Sequence, residues 1–216
     1  MSIASSPIQT ERQLQATAPS LAQLERWLTA ILVIAGLVGF AAAFELSVEK
    51  FRLLENPLYV PPCSLGETVN CVSVMRSAQS EAFGFPNPFL GIAGFAGLTV
   101  SGLVLATGGR LGPRYWLVLE AALVFAVAFV HWLIFQTLYR IGALCPFCMA
   151  VWTVTILTFW YVTVRNLVAY DGRPGALGKL ADVAARNHGV VVTAWLLTIT
   201  ALVFERFWAP WDSVFA

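Results

Sequence analysis

Charged side chains are scarce in this sequence of 216 residues: Asp, Glu, Lys and Arg make up 12%, while 58% of the residues are hydrophobic. Globular domains carry roughly 25% charged residues. So few charges cannot coat a water-soluble surface, which excludes an ordinary cytosolic enzyme, and the hydrophobic content excludes a disordered chain. A dominant sign of charge is lacking too. Thirteen basic against twelve acidic residues leave a net charge of +1, no field with which to neutralise nucleic-acid phosphates. Only four cysteines are present, too few for a disulfide scaffold, so each thiol needs its own explanation.

What the sequence has in quantity is long apolar runs. A spanning helix needs about 20 mainly apolar residues. Five runs qualify: Trp27 to Phe44, Pro88 to Thr107, Tyr115 to Leu138, Met149 to Val164 and Val190 to Phe204. Extending the last two through their flanks to Pro146, Gly189 and Trp208 brings them near spanning length. The predicted spans are 27–46, 88–107, 115–138, 146–164 and 189–208, with a loop over 47–87. Residues 1–26, rich in Ser, Thr, Gln and Ala, read as a mobile cytoplasmic tail, and 27–216 as a single membrane domain. The first apolar run exceeds the roughly 7–15 residues of a signal h-region, so it reads as an uncleaved anchor. The expected fold is an all-α membrane protein: a four-helix transmembrane bundle with a fifth transmembrane helix beside it.

Orientation follows from the distribution of Lys and Arg. With a cytoplasmic N-terminus, the inner set is Arg12, Arg26, Arg110, Arg114, Arg165, Arg173, Lys179 and Arg186, and the outer set is Lys50, Arg52, Arg76, Arg140 and Arg206. Eight against five favours N-in, C-out in the cell membrane. Loop 47–87 then faces the oxidising side.

On that topology all four cysteines share one side. Cys63 and Cys71 lie in the outer loop, and Cys145 and Cys148 where an outer turn enters the fourth span. Disulfides persist outside the cytoplasm, so the four thiols read as two redox pairs. Cys145-Pro146-Phe147-Cys148 is a C-x-x-C at a helix start, where free N–H groups and the helix dipole favour a thiolate. Pro61-Pro62 and the turn formers Gly66 and Asn70 suggest that the loop moves over this pair, a physical relay for thiol exchange. A structural zinc site and a purely structural Cys63–Cys71 bridge are the competing readings.

Taken together, Cys63-Ser-Leu-Gly-Glu-Thr-Val-Asn-Cys71, Ser77, Asn87-Pro-Phe-Leu-Gly91 and Cys145-Pro-Phe-Cys148 resemble the vitamin K epoxide reductase family. The likeness is greatest to bacterial members, which oxidise extracytoplasmic thiol oxidases and pass the electrons to a membrane quinone. It covers residues 27–164. The resemblance implies a bundle built around a quinone, menaquinone or ubiquinone. It makes Cys145 and Cys148 the active pair, with Cys148 beside the quinone, Cys63 attacking Cys145 and Cys71 exchanging with the partner. Ser77 and Asn87 match positions near the quinone head group. Many bacterial relatives carry a fused thioredoxin-like domain after the fifth span; this chain ends at Ala216, so a separate thioredoxin-fold thiol oxidase is the expected partner. Animal relatives have a Tyr four residues after the second active cysteine, where this chain has Trp152, which puts epoxide recognition in doubt.

Other residues carry weaker signals. Phe83, Phe85, Phe89 and Phe147 cluster around these motifs, and either a quinone pocket, with Phe89, Phe147 and Trp152 at its wall, or core packing would ask for them. Glu120, in the third span, reads as locally hydrogen-bonded or snorkelling more than as a proton port. His131 reads as a satisfied buried histidine more than as a proton donor to quinone. Trp27, Trp116, Trp208 and Trp211 suit interfacial belts. The functional expectation is a membrane thiol:quinone oxidoreductase that drives disulfide formation, served by the quinone pool in the lipid bilayer and binding neither nucleic acid nor metal. The alternative is a non-catalytic transporter or assembly factor whose disulfides are structural.

Overall fold

The computed structural model describes residues 21–169 and 176–208. Arg12, Arg173, Trp211 and most of the predicted tail lie outside them. The elements are α1 (Leu21–Glu55), α2 (Cys71–Arg76), a short 3₁₀ turn (Ala78–Glu81), α3 (Pro88–Ala106), α4 (Pro113–Gln136), a π turn (Thr137–Ile141), α5 (Pro146–Ala169), α6 (Ala176–Arg186) and α7 (His188–Trp208). Five helices are long and apolar enough to cross a membrane.

Prolines set three of the starts. Pro88, Pro113 and Pro146 each occupy the first helical position, where the missing N–H costs nothing and φ is already helical. Gly142, at φ +69°, ends the π turn in the left-handed conformation, its N–H donating to the Thr137 carbonyl. The first helix departs from expectation at both ends. It begins at Leu21, before the expected Trp27, and runs to Glu55, so the first part of the expected loop is helix. The added turns are charged but paired: Lys50 Nζ lies 2.8 Å from Glu81 Oε1, and Arg52 Nη1 lies 2.7 Å from Glu49 Oε1.

Helices α1, α3, α4 and α5 form the bundle, with a core of Leu28, Leu32, Phe95, Leu98, Trp116, Leu123, Val154 and Val162. Lipid tails are as apolar as leucine, so close packing between small residues has to hold such helices together. Gly36 and Gly39 of α1 meet Thr99 and Phe95 of α3, and Gly102 of α3 meets Val33 of α1. A Cβ on Gly36 would sit 2.8 Å from the Thr99 backbone nitrogen, which no rotamer change relieves. Gly36→Ala should therefore destabilise the bundle by about 1–3 kcal/mol, read as a lower midpoint of thermal unfolding in detergent.

The end of the bundle away from the cysteines is locked by polar contacts. Thr163 Oγ1 and Asn166 Nδ2 donate to Glu120 at 2.6 and 3.0 Å. Arg165 pairs with Glu25 at 3.2 Å and lies over the Trp116 ring. Glu120 is thus locally hydrogen-bonded, and Trp116 is core, not belt. Helix α7 stands outside the bundle. It is tied to α4 through His131, whose Nδ1 donates to the Val127 carbonyl at 2.7 Å while Nε2 accepts from Trp195 Nε1 at 3.0 Å. A carbonyl only accepts and an indole only donates, which fixes that tautomer and leaves the ring without a free nitrogen.

Candidate active site

Asn70 organises the loop side of the site. Its side chain caps α2 by accepting from the Ser73 N–H at 3.0 Å, so Cys71 becomes the first residue of that helix. The backbone on either side is pinned to the segment entering α5: Leu144 N–H donates to the Thr68 carbonyl at 2.8 Å, and Asn70 N–H donates to the Leu144 carbonyl at 2.9 Å. Pro61 is buried, and Leu65 and Gly66 both donate to the Val69 carbonyl. The loop expected to move over the bundle is instead clamped to it.

This clamp brings three sulfurs together. Cys63 and Cys71 form a disulfide, whereas Cys145 and Cys148 are free thiols. Cys71 Sγ lies 3.5 Å from Cys145 Sγ, and Cys71 is fully buried while Cys63 keeps 8% exposure. Thiol exchange needs direct approach of sulfur to sulfur. The expectation that Cys63 meets Cys145 does not match this geometry: Cys71 faces Cys145, and Cys63 is the less deeply buried of the two loop cysteines. The residues on either side of a seven-residue spacer do not reveal which sulfur turns inward; the Asn70 cap and the Leu144 pairing do.

The Cys145 thiol is held below the usual thiol range. The hydrogen bond from the Cys148 thiol is the largest cause, backbone N–H groups of Cys148 and Phe147 at the start of α5 add to it, and burial opposes them. A lowered value keeps the thiolate populated to lower pH, and reactivity is lost only as pH falls through it. In the reduced protein, modification of Cys145 by methyl methanethiosulfonate should show a pH midpoint below the ordinary thiol value of about 8.5. The midpoint should rise in Cys148→Ala, which removes the largest cause.

Cys148 lines a cavity of about 370 Å³ between α1, α3, α4 and α5, with α2 and the turn after it at its rim. That size falls within the usual range for small-molecule sites, and the wall is mainly apolar. Trp152 lines it, as do Ser77 and Asn87. Asn87 also braces the loop: its Oδ1 accepts from Ala82 N–H at 3.0 Å, and its Nδ2 donates to the Gln79 carbonyl at 2.7 Å. The second amide hydrogen remains for a ligand carbonyl. Ser77 donates to the Val74 carbonyl at 2.7 Å, which closes α2.

Phe89 and Phe147 are not in the wall. Phe89 packs outward against Phe51, and Phe147 packs among Cys63, Cys71 and Met75. Phe125 and Phe129 of α4 add aromatic wall beside Trp152, with Phe83 packed at a tilt against both. Sequence reasoning missed these two because an i, i+4 pair of phenylalanines in an apolar span looks like any other lipid-facing or core pair. Thr137 and Ile141 of the π turn also line the cavity, a position where such turns recur at functional sites.

An apolar chamber beside one thiol of a C-x-x-C, with a disulfide in contact with the other, is a constellation for moving electron pairs. The sequence model described as the vitamin K epoxide reductase family matches residues 30–163. The chain belongs to that family. The match spans α1 to α5, including all four cysteines and the cavity, and leaves out α6 and α7. No curated protein matches the sequence. Membership makes the chain a multi-pass membrane oxidoreductase of disulfide formation, in a family whose members use quinones as redox partners. It sets aside the reading as a non-catalytic transporter or assembly factor.

Proposed function

We propose that the protein re-oxidises an extracytoplasmic thioredoxin-fold thiol oxidase, a separate protein, and passes the electrons to a membrane quinone. The observation that carries this is the 3.5 Å approach of Cys71 to Cys145, whose C-x-x-C partner Cys148 lies at the cavity wall. A partner thiolate attacks Cys63, breaking the Cys63–Cys71 bond, forming a mixed disulfide with the partner and releasing Cys71. Cys71 attacks Cys145 of an oxidised Cys145–Cys148 pair, forming Cys71–Cys145 and releasing Cys148. The partner's second thiolate then attacks the partner sulfur of the mixed disulfide, forming the partner disulfide and freeing Cys63, which attacks Cys71 of the Cys71–Cys145 bond and releases Cys145. Two electrons have moved, the loop disulfide is restored, and Cys145 and Cys148 are reduced. Quinone takes those two electrons with two protons, leaving as the hydroquinone while the Cys145–Cys148 bond re-forms.

Residues of this chain supply position. Asn87 is placed to donate to a quinone carbonyl, Phe125, Phe129 and Trp152 to hold the ring, and Cys148 to meet it. The orientation N-in, C-out in the cell membrane puts Cys63 on the oxidising side, as disulfide formation requires. Menaquinone and ubiquinone both suit the apolar chamber. Trp152 stands where animal relatives have a phenol, so quinone rather than epoxide is the substrate proposed.

The test is reduction of short-chain ubiquinone and menaquinone analogues by the purified protein with a dithiol donor, after subtraction of the direct reaction. Protein-dependent turnover is expected with at least one quinone. Folded protein without turnover on either would overturn the assignment.

A further inference from the structure

Glu49 is the most conspicuous polar group left over by this account. It is only 1% exposed, a costly place for a charge unless it is well compensated. Oε1 pairs with Arg52, but Oε2 is enclosed and has no hydrogen-bond partner. Its place is specific. Leu46 and Leu53 lie about one helical turn before and after it, on the same side of α1. Both leucines pack in one cluster with Cys63, Cys71, Met75 and Cys145. The charged and titratable groups around it are few. On its own helix Arg52 holds Oε1 and reaches the Tyr59 hydroxyl, while Lys50 is turned aside to Glu81 and the Met75 carbonyl. In the cluster that Leu46 and Leu53 join on this side of α1, the titratable groups from the loop, α2 and the start of α5 are the cysteines.

The relay described above needs a base at this point. Exchange expels Cys71 as a thiolate, which takes up a proton from solvent because it is fully buried among apolar side chains; only the thiolate attacks a disulfide, so that proton must be removed again. We propose that Glu49 is the proton acceptor for the loop dithiol. Cys71 gives its proton to Glu49 Oε2 as its sulfur bonds to Cys145; the Cys145–Cys148 bond breaks and Cys148 leaves as the thiolate carrying the electron pair. Glu49 returns the proton to solvent on the side of Arg52, whose side chain is about half exposed. The inference rests on the relay, and the experiment separates the two.

Full-length protein in detergent, oxidised with excess short-chain ubiquinone and freed of it, is mixed with dithiothreitol. Acid quench, alkylation and peptide mapping then follow the arrival of thiols at Cys145 and Cys148. Chemically reduced protein mixed with quinone gives the second half-reaction separately. Glu49→Gln should slow the first half-reaction at neutral pH by about 10²-fold, the lower end for a general base. The deficit should shrink as pH rises towards that of free thiols, and the second half-reaction should be unchanged. Glu49→Asp, which keeps the carboxylate, should retain the wild-type pH slope. A wild-type rate in Glu49→Gln, or a deficit independent of pH, overturns the assignment. If Glu49→Gln does not fold, a pH-independent first half-reaction in Glu49→Asp overturns it. Wild-type protein in which no thiol reaches Cys145 and Cys148 overturns the relay, and this role with it.

Discussion

Cys148→Ala should abolish protein-dependent quinone reduction, by about 10³-fold or more in kcat, with the fold intact. The magnitude follows from its position: Cys148 is the member of the C-x-x-C pair that lines the cavity, and loss of a reacting nucleophile is not compensated by neighbours. Cys145 cannot substitute, because it is turned towards Cys71 and contributes nothing to the chamber wall. The variant should still bind quinone, since the aromatic wall and Asn87 are untouched. Tight binding without turnover, read by equilibrium titration beside the activity assay, is the expected pair of results. Residual turnover within tenfold of wild type would mean that electrons leave by another route.

The second large effect distinguishes the two loop cysteines. Protein carrying Cys63→Ala and Cys148→Ala retains only Cys71 and Cys145, whose sulfurs lie 3.5 Å apart. On mild oxidation it should form the Cys71–Cys145 disulfide almost completely. Protein carrying Cys71→Ala and Cys148→Ala retains Cys63 and Cys145 and should remain reduced under the same conditions. Mass mapping of the linked peptides reads both. The reverse result would restore the order in which Cys63 meets Cys145. Both double variants lack the native loop bridge, so neither has an advantage in loop entropy, and the contrast reports proximity alone.

Much of this site was legible from residue order. Proline-started helices, a C-x-x-C at one of them, and a second cysteine pair upstream need no coordinates to be recognised. The end of α1 was not legible, because hydropathy falls at Glu45 whereas helix propensity does not; Glu49, Lys50 and Arg52 are good helix formers that find partners only in three dimensions. Phe89 and Phe147 were drawn to the quinone by their neighbours in sequence. A helix turns about 100° per residue, so Leu90 and Gly91 reach the cavity while Phe89 faces away. The order of the sulfurs rests on the Asn70 cap and on two backbone hydrogen bonds to Leu144, neither of which any spacing encodes.

Those two bonds bear on how the protein works over time. With Thr68 and Asn70 tied to Leu144, the backbone holds Cys71 against Cys145, so the proposed step between these two sulfurs requires no excursion of the chain. Encounter with a separate partner, at typical rate constants of about 10⁵–10⁷ M⁻¹s⁻¹, depends instead on the partner's concentration. On the proposed function, the flux of disulfide formation should rise in proportion to the abundance of the reduced partner until sulfur chemistry or quinone exchange becomes limiting.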